Sequence, residues 1–251
     1  MESPKLDFKP ITPDQVLYDF VYAYSSLQQL AGFKNGVIIP NGRIDLIFSQ
    51  TTPDELQIVL MGLETEPKPI PEQPIDGFFA ISLNPLAVEY LLQQPVADLL
   101  NRGVYLPADF WGFQAADLVN FETFCSRATQ LLTARLPVDT DSRKRSLFQL
   151  IFAANGEIAI QTLSKAIGWS ERQINRYFNQ QLGLSLKAYC NILRFQASLP
   201  HIRAGALYPQ LNFTDQSHFI KEIRKHAGVS PKELFRNQND RFLQFLVYGS
   251  R

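Results

Sequence analysis

The spacing of hydrophobic and polar positions changes period partway along this 251-residue chain. Up to about residue 116, short β-prone runs ("GVIIP", "GRIDLIFSQ", "ELQIVLMGLE" and "DGFFAISLNP") are separated by Pro, Gly and Asn, the arrangement of strands joined by tight turns. They predict a compact antiparallel β-sandwich or barrel. The proline-rich stretch "EPKPIPEQP" reads as a surface connection between strands, because strand-like sequence resumes at once. Short helical pieces between Asn84 and Asn101 cover one end. Residues 116 to 136 carry the first long helical pattern, with Leu118, Phe121, Cys125, Ala128 and Leu132 spaced 3, 4, 3 and 4 apart. Such a seam packs on its own sheet or pairs with a second chain; over two heptads, packing within the monomer is the plainer reading and a homodimer through the helix near 117–136 the sharper one. The polar segment "PVDTDSRK" ends the helix and divides the chain into a β-rich part, 1–136, and an all-α part, 137–251.

The helical part repeats itself. "SERQINRYFNQQLGLSLKAY" (170–189) lies over "DQSHFIKEIRKHAGVSPKEL" (215–234) at an offset of 45 residues, pairing Ile174 with Phe219, Phe178 with Ile223, Gly183 with Gly228, Ser185 with Ser230 and Lys187 with Lys232. Each copy predicts a helix of about three turns, opened by a polar N-cap, Ser170 or Asp215, and stopped at a glycine, where positive φ costs least. Ahead of the first copy, "IAIQTLSKAIGWS" places Ile160, Leu163 and Ile167 at helical spacing, then Gly168 in a tight turn before Ser170. Helix, turn and polar helix make a helix-turn-helix. "LKAYCNILRFQASL" joins the copies as a helix of about 14 residues, roughly 21 Å long and ended by Pro200.

At about 100° per residue, Ile174, Tyr177, Phe178 and Gln181 fall on one side of the first polar helix, and Arg172, Asn175, Arg176 and Asn179 on the other. In the second, Phe219, Ile223 and Ala227 face inward. Ser217, Lys221, Arg224 and Lys225 face out beside His218, with Ile220 at the boundary. Arginine forks onto guanine, asparagine pairs with adenine, isoleucine touches a thymine methyl, and Lys and Arg grip phosphate, so both faces suit the major groove. Polar outer faces are also the rule on amphipathic surface helices. Two matching copies, the helix-turn-helix pattern and the charge distribution outweigh that plainer reading. Residues 1–136 hold 8 Lys/Arg against 16 Asp/Glu, net −8, whereas residues 137–251 hold 16 against 8, net +8.

Composition narrows the remaining choices. Hydrophobic residues make up 45% of the chain, enough for real cores. No apolar run reaches the roughly 18 residues of a membrane span, and "MESPKLDF" lacks the basic and apolar regions of a secretion signal, so a cytoplasmic protein without membrane contact is expected. Cys125 and Cys190 stand far apart without CxxC spacing and read as buried thiols. His201, His218 and His226 all lie in the basic part, so a histidine-based metal site in the β-rich part is excluded and no cofactor is expected. Phe78, Phe79, Tyr105, Phe110, Trp111 and Phe113 line an apolar pocket or, as is commoner, fill the core. No GxSxG, P-loop, GxGxxG or HExxH occurs, and the paired acids Asp54/Glu55 and Glu64/Glu66 read as solvated turns, so no enzymatic function is expected.

Through "LSKAIGWSERQINRYFNQQLGLSLKAY" and "DQSHFIKEIRKHAGVSPKELFR", the helical part resembles the DNA-binding domain of the AraC/XylS family of bacterial transcriptional regulators. The resemblance implies that Arg172, Asn175 and Arg176 touch bases in one segment and Ser217, His218, Ile220 and Lys221 in the next. Gln173, Asn179, Arg224 and Lys225 complete the candidate interface. Gln216 lies within the signature but its wheel angle is inward, so a structural or phosphate-facing role stands beside base contact. Where the family has an Ile-Ala-rich scaffold helix before the second reading helix, this chain has "AGALYPQLNF" with Pro209. A loosely supported second unit, giving phosphate contacts or partial specificity, is therefore expected. "IPNGRIDLIFSQ" and "GFFAISLNP" resemble the small sensor domain of a subgroup of these regulators, which implies a cupin-like β-sandwich that binds a small-molecule effector or mediates dimerisation. The resemblance also implies double-stranded promoter DNA and RNA polymerase as partners. The competing assignment is a small-molecule-binding or catalytic β-domain fused to a degenerate helical repeat that binds protein, and the segment around Pro209 is its support.

Overall fold

The computed structural model describes residues 7–30, 35–52, 55–70, 76–211, 213–237 and 241–242. Six strands form one antiparallel sheet in the order β1 (Asp7–Ile11), β2 (Val21–Gln28), β7 (Phe78–Leu83), β4 (Ile44–Thr52), β5 (Glu55–Met61) and β8 (Gly103–Leu106). A two-stranded ladder joins β3 (Val37–Ile38) to β6 (Lys68–Pro69), so the start of the proline-rich stretch is itself a strand. Alternation sets the buried face: Ile44, Leu46 and Phe48 on β4 and Leu56, Ile58 and Leu60 on β5 point into the core. Helix α1 (Phe121–Thr133) starts where the Asn120 side chain accepts the Thr123 N–H at 2.8 Å. It lays Phe124, Ala128, Leu131 and Leu132 onto this core, with the Phe124 ring 5.1 Å from both Phe48 and Phe79. The seam of Leu118 to Leu132 is thus occupied by the chain's own sheet, and a dimer through this helix would have to use its outer face. Among the aromatics, Phe79 and Phe113 are core and Phe78, Phe110 and Trp111 half-buried, while Tyr105 is 73% exposed on the edge strand β8.

The helical part contains α2 (Ser142–Ala153), α3 (Ile160–Ile167), α4 (Glu171–Leu182), α5 (Leu186–Arg203), α6 (Gln216–Ala227) and α7 (Pro231–Arg236). Helices α4 and α6 begin and end 45 residues apart, as the sequence repeat predicts, and so do the starts of α5 and α7. Helix α5 does not stop at Pro200. Proline removes one N–H, but the Ala204 N–H still bonds to the Pro200 carbonyl at 3.0 Å, so one more turn closes. At 18 residues, α5 is about 27 Å long. The segment before α6 contains no helix among its described residues.

Although α1 ends at Thr133 and α2 begins at Ser142, the apolar core does not divide there. One continuous cluster runs from Leu17 and Phe48 through Phe148 and Phe178 to Leu193. Around its rim, acids of the β-rich half meet bases of the helical half. Glu89 pairs with Lys144, and Arg145 lies 2.8 Å from Asp19. The Tyr90 hydroxyl accepts the Asp141 N–H at 2.9 Å. The Arg43 guanidinium is sandwiched between the rings of Tyr22, 4.2 Å away, and Phe152 of α2, 4.7 Å away. Part of the charge asymmetry is therefore internal pairing. Glu64 is a correction to the sequence reading: it is not in a solvated turn but 8% exposed, its carboxylate 3.2 Å from the Lys68 ammonium, and burial pushes its pKa up. Cys190 is buried and Cys125 half-buried; both are free thiols whose pKa burial pushes up to about 11. Among the described residues, no helix is long and apolar enough to cross a membrane.

Candidate nucleic-acid interface

Helix α4 is built from its cap. The Ser170 hydroxyl accepts the Gln173 N–H at 3.3 Å, and the Gln173 side-chain oxygen accepts the Ser170 N–H at 2.8 Å, a reciprocal box that commits the Gln173 carbonyl to structure. Ile174, Phe178 and Leu182 are buried, with Phe178 5.7 Å from Phe148 and 5.5 Å from Tyr189. Opposite them Arg172, Arg176 and Asn179 are exposed and Asn175 is half-buried. The Asn175 amide donates to the Glu171 carbonyl at 3.2 Å and the Asn179 amide to the Asn175 carbonyl at 2.8 Å, which holds both side chains along the helix surface. Gly183 ends α4 at φ +78°, where a Cβ would lie 2.5 Å from the Ala97 carbonyl oxygen; only glycine fits both the turn and the contact. Beside it the Val96 N–H donates to the Gln181 carbonyl at 2.9 Å, so the β-rich half satisfies one of the orphan carbonyls of the helix end.

Helix α6 repeats this plan. Asp215 accepts the His218 N–H at 2.8 Å, Phe219, Ile223, His226 and Ala227 are buried, and Gly228 closes the helix in the left-handed conformation. Ser217, Lys221, Arg224 and Lys225 are exposed. Gln216 is exposed but tied, its amide donating to the Leu207 carbonyl at 2.9 Å, in keeping with the structural role its wheel angle suggests. His218 is half-buried: its Nδ1 accepts the Thr214 N–H at 3.4 Å and its ring meets Phe213 edge-on. Ile220 packs in part against the second apolar cluster. Among the described residues, Arg172, Arg176, Lys221, Arg224 and Lys225 enter no salt bridge, so their charge is available to a polyanion. The sequence reading left Lys187 and Lys232 out of the interface. Both are exposed and pair with each other across the 45-residue offset. Lys187 also lines, with Glu157, Glu171, Asn175 and Arg194, a cleft of about 440 Å³ beside the polar face of α4.

The far end of α6 is held by the β-rich half through His226, which is 1% exposed. Its Nδ1 lies 3.0 Å from the Thr65 carbonyl oxygen, its Nε2 3.7 Å from a Glu222 carboxylate oxygen, and its ring 5.2 Å from that of Phe195. Burial pulls its pKa below the usual imidazole value of 6.5, against the raising effects of the Thr65 bond and Glu222. Above that value the folded and unfolded chains both hold the ring neutral. As pH falls below it, the unfolded chain takes up a proton that the folded one resists, so stability falls with pH. Between neutral pH and about pH 5, His226→Gln, which keeps a donor for Thr65, is expected to lose stability less steeply than the natural chain in denaturant titrations. Equal slopes would remove His226 from this role.

A β-sheet domain joined to a helical domain that presents two N-capped, cation-bearing helices is the arrangement of a helix-turn-helix regulator. Among solved structures, ToxT from Vibrio cholerae in its P21 crystal form is 10% identical with a TM-score of 0.39, covering 93% of this chain and 98% of that one. ToxT of V. cholerae O395 is 11% identical with a TM-score of 0.38, covering 93% and 97%. The unsaturated fatty acid bound wild-type ToxT from V. cholerae strain SCE256 is 12% identical with a TM-score of 0.37, covering 93% and 92%. No curated protein matches the chain significantly. Two family profiles do match: one described as a helix-turn-helix domain (HTH_18) over residues 163–237, and one described as a domain of unknown function (DUF6597) over residues 9–105. Over residues 163–237 the chain thus carries a helix-turn-helix domain of the AraC type, joined to a DUF6597 domain over residues 9–105.

Proposed function

We propose that the protein reads two neighbouring major-groove segments of one duplex, the first with α4 and the second with α6, under control of an effector-responsive β-rich half. Arg172, Asn175 and Arg176, and Ser217, His218, Ile220 and Lys221, are the base-facing groups; Asn179, Arg224 and Lys225 grip phosphate, and Gln173 and Gln216 hold the two helices in place. The observation that carries this reading is the exposure of both polar faces on helices of equal length that begin and end 45 residues apart, with their five cations outside any salt bridge among the described residues. A connecting helix of about 27 Å, added to the bulk of the two units, suits DNA segments about one helical turn, roughly 34 Å, apart.

The candidate effector site in this reading is an open recess of about 180 Å³ at one end of the sheet, lined by Gln28, Ser49, Gln50, Phe78 and Leu118 and smaller than the ~300 Å³ of an ordinary ligand pocket. A homodimer in this reading uses the outer face of α1 with the exposed Val119, and RNA polymerase is a partner on promoter DNA. The work is done in the cytoplasm, with no cofactor and no enzymatic step. Selection from a random or genomic DNA pool by the full chain is expected to recover a motif with two conserved segments about one turn apart. A pool that stays unenriched would overturn the proposal.

A further inference from the structure

The two reading units are built differently behind their inner faces. Behind α4 stands α3, whose Leu163 is fully buried. Shifted by 45 residues, α3 falls on 205–212, where the described residues are not helical and Tyr208, the counterpart of Leu163, is 61% exposed. Yet Phe219, Ile223 and Ala227 of α6 are buried as completely as Ile174, Phe178 and Leu182 of α4. The cluster that covers them contains Phe195, Leu199 and Ile202 of α5 and Leu234 of α7, together with Val37, Ile39 and Phe242, while Leu207 and Phe213 of the non-helical segment pack on it only in part, Phe213 with its ring 5.1 Å from that of Phe219. Val37 and Ile39 come from the other half of the chain, and Ile39 has no exposed surface.

That segment is fastened at three points. The Val37 N–H donates to the Arg241 carbonyl at 2.7 Å and pairs with Phe242 in a parallel bridge, while the Phe242 N–H donates to the Asn237 side chain at 3.2 Å. The Pro40 carbonyl accepts from the Gln196 amide of α5. The Gly42 carbonyl accepts the Tyr189 hydroxyl at 3.1 Å. Removing the Val37 and Ile39 side chains would open a gap in the cluster that holds α6, whereas neither belongs to the cluster that holds α4.

We infer that residues 37–42 of the β-rich half stand in for the missing scaffold helix of the second unit, with Val37 and Ile39 as positioning residues for α6. Reading of the second DNA segment then exists only while the two halves are docked, whereas reading of the first does not depend on Val37 or Ile39. This rests on α6 contacting DNA, as proposed above.

The test is hydroxyl-radical footprinting of the full chain on a selected two-segment fragment, with affinities for versions in which either segment is scrambled. Ile39→Ala is expected to lose protection over the α6 segment, keep it over the α4 segment, and bind the intact site roughly tenfold to a hundredfold more weakly, the scale of one lost set of base contacts. Scrambling the second segment should cost the variant little further, and Ile39→Val should restore most of the natural footprint. Val37→Ala carries the same expectation with a smaller fold-change and serves if Ile39→Ala does not fold. Unchanged protection of both segments, or equal loss over both by a folded variant, overturns the inference. The underlying reading has its own control: if Lys221→Ala with Ser217→Ala leaves the second footprint of the natural chain untouched, α6 is not a DNA reader, whatever Ile39 does.

Discussion

Phe178→Ala is expected to destabilise the protein by about 3–5 kcal/mol, the largest single-site effect foreseen. Phe178 is fully buried at the centre of a ring cluster, with Phe148 5.7 Å, Tyr189 5.5 Å and Tyr177 6.2 Å away. Truncation removes the apolar surface of the ring and leaves a cavity that three fixed neighbours cannot collapse into. The same apolar cluster continues through Leu193 and Phe148 to Phe48 and Leu17 in the β-rich half, so the loss should register in both halves at once. Chemical denaturation followed by tryptophan fluorescence and by far-ultraviolet circular dichroism is expected to give one coincident transition, moved to lower denaturant. A shift below about 1 kcal/mol, or two separated transitions, would mean that the halves do not share a core.

The second large effect concerns recognition. Arg172→Ala and Arg176→Ala are each expected to cost about 1–3 kcal/mol on the selected site and to relax preference at the bases they contact, while Lys225→Ala weakens all sequences alike. Both arginines are exposed on one face of α4, outside any salt bridge among the described residues. Competition binding against random DNA separates the two behaviours. Equal losses on cognate and random DNA from the arginine changes would make them phosphate contacts and leave Asn175 as the α4 group to test next.

Much of the helical part was legible in the sequence because its signals are local. Ser170, Ser185, Asp215 and Ser230 cap helices through their own side chains, and Gly183 and Gly228 take the left-handed turn. The strands β4, β5 and β7 announced themselves by alternation. Strands β1, with Pro10, and β8, with its exposed residues, lie at the sheet edges and carry little periodic signal. Pro200 misled because a proline in the last turn of a helix sacrifices only one bond. What no local pattern carried was the docking of the halves. Val37 and Ile39 look like any strand residues, and Glu64 like any turn acid, until the fold brings the first two into the apolar cluster behind α6 and the third against Lys68. The polar faces of α4 and α6 were readable for the opposite reason: Arg172, Arg176, Ser217, Lys221, Arg224 and Lys225 point into solvent where the wheel put them, while Asn175, His218 and Ile220 are half-buried.

The claim that both helices face one duplex is tested most directly by the salt dependence of binding of the full chain to its selected fragment. Each neutralised phosphate contributes about −0.9 to the slope of log affinity against log salt. Arg224 and Lys225, the cations assigned to phosphate, alone give a slope of about −2, and a slope of about −4 to −5 requires that Arg172, Arg176 and Lys221 also displace counterions in the grooves they enter. Fluorescence anisotropy at several ionic strengths is expected to give the steeper value for the natural chain. A slope near zero would contradict duplex binding by these faces altogether.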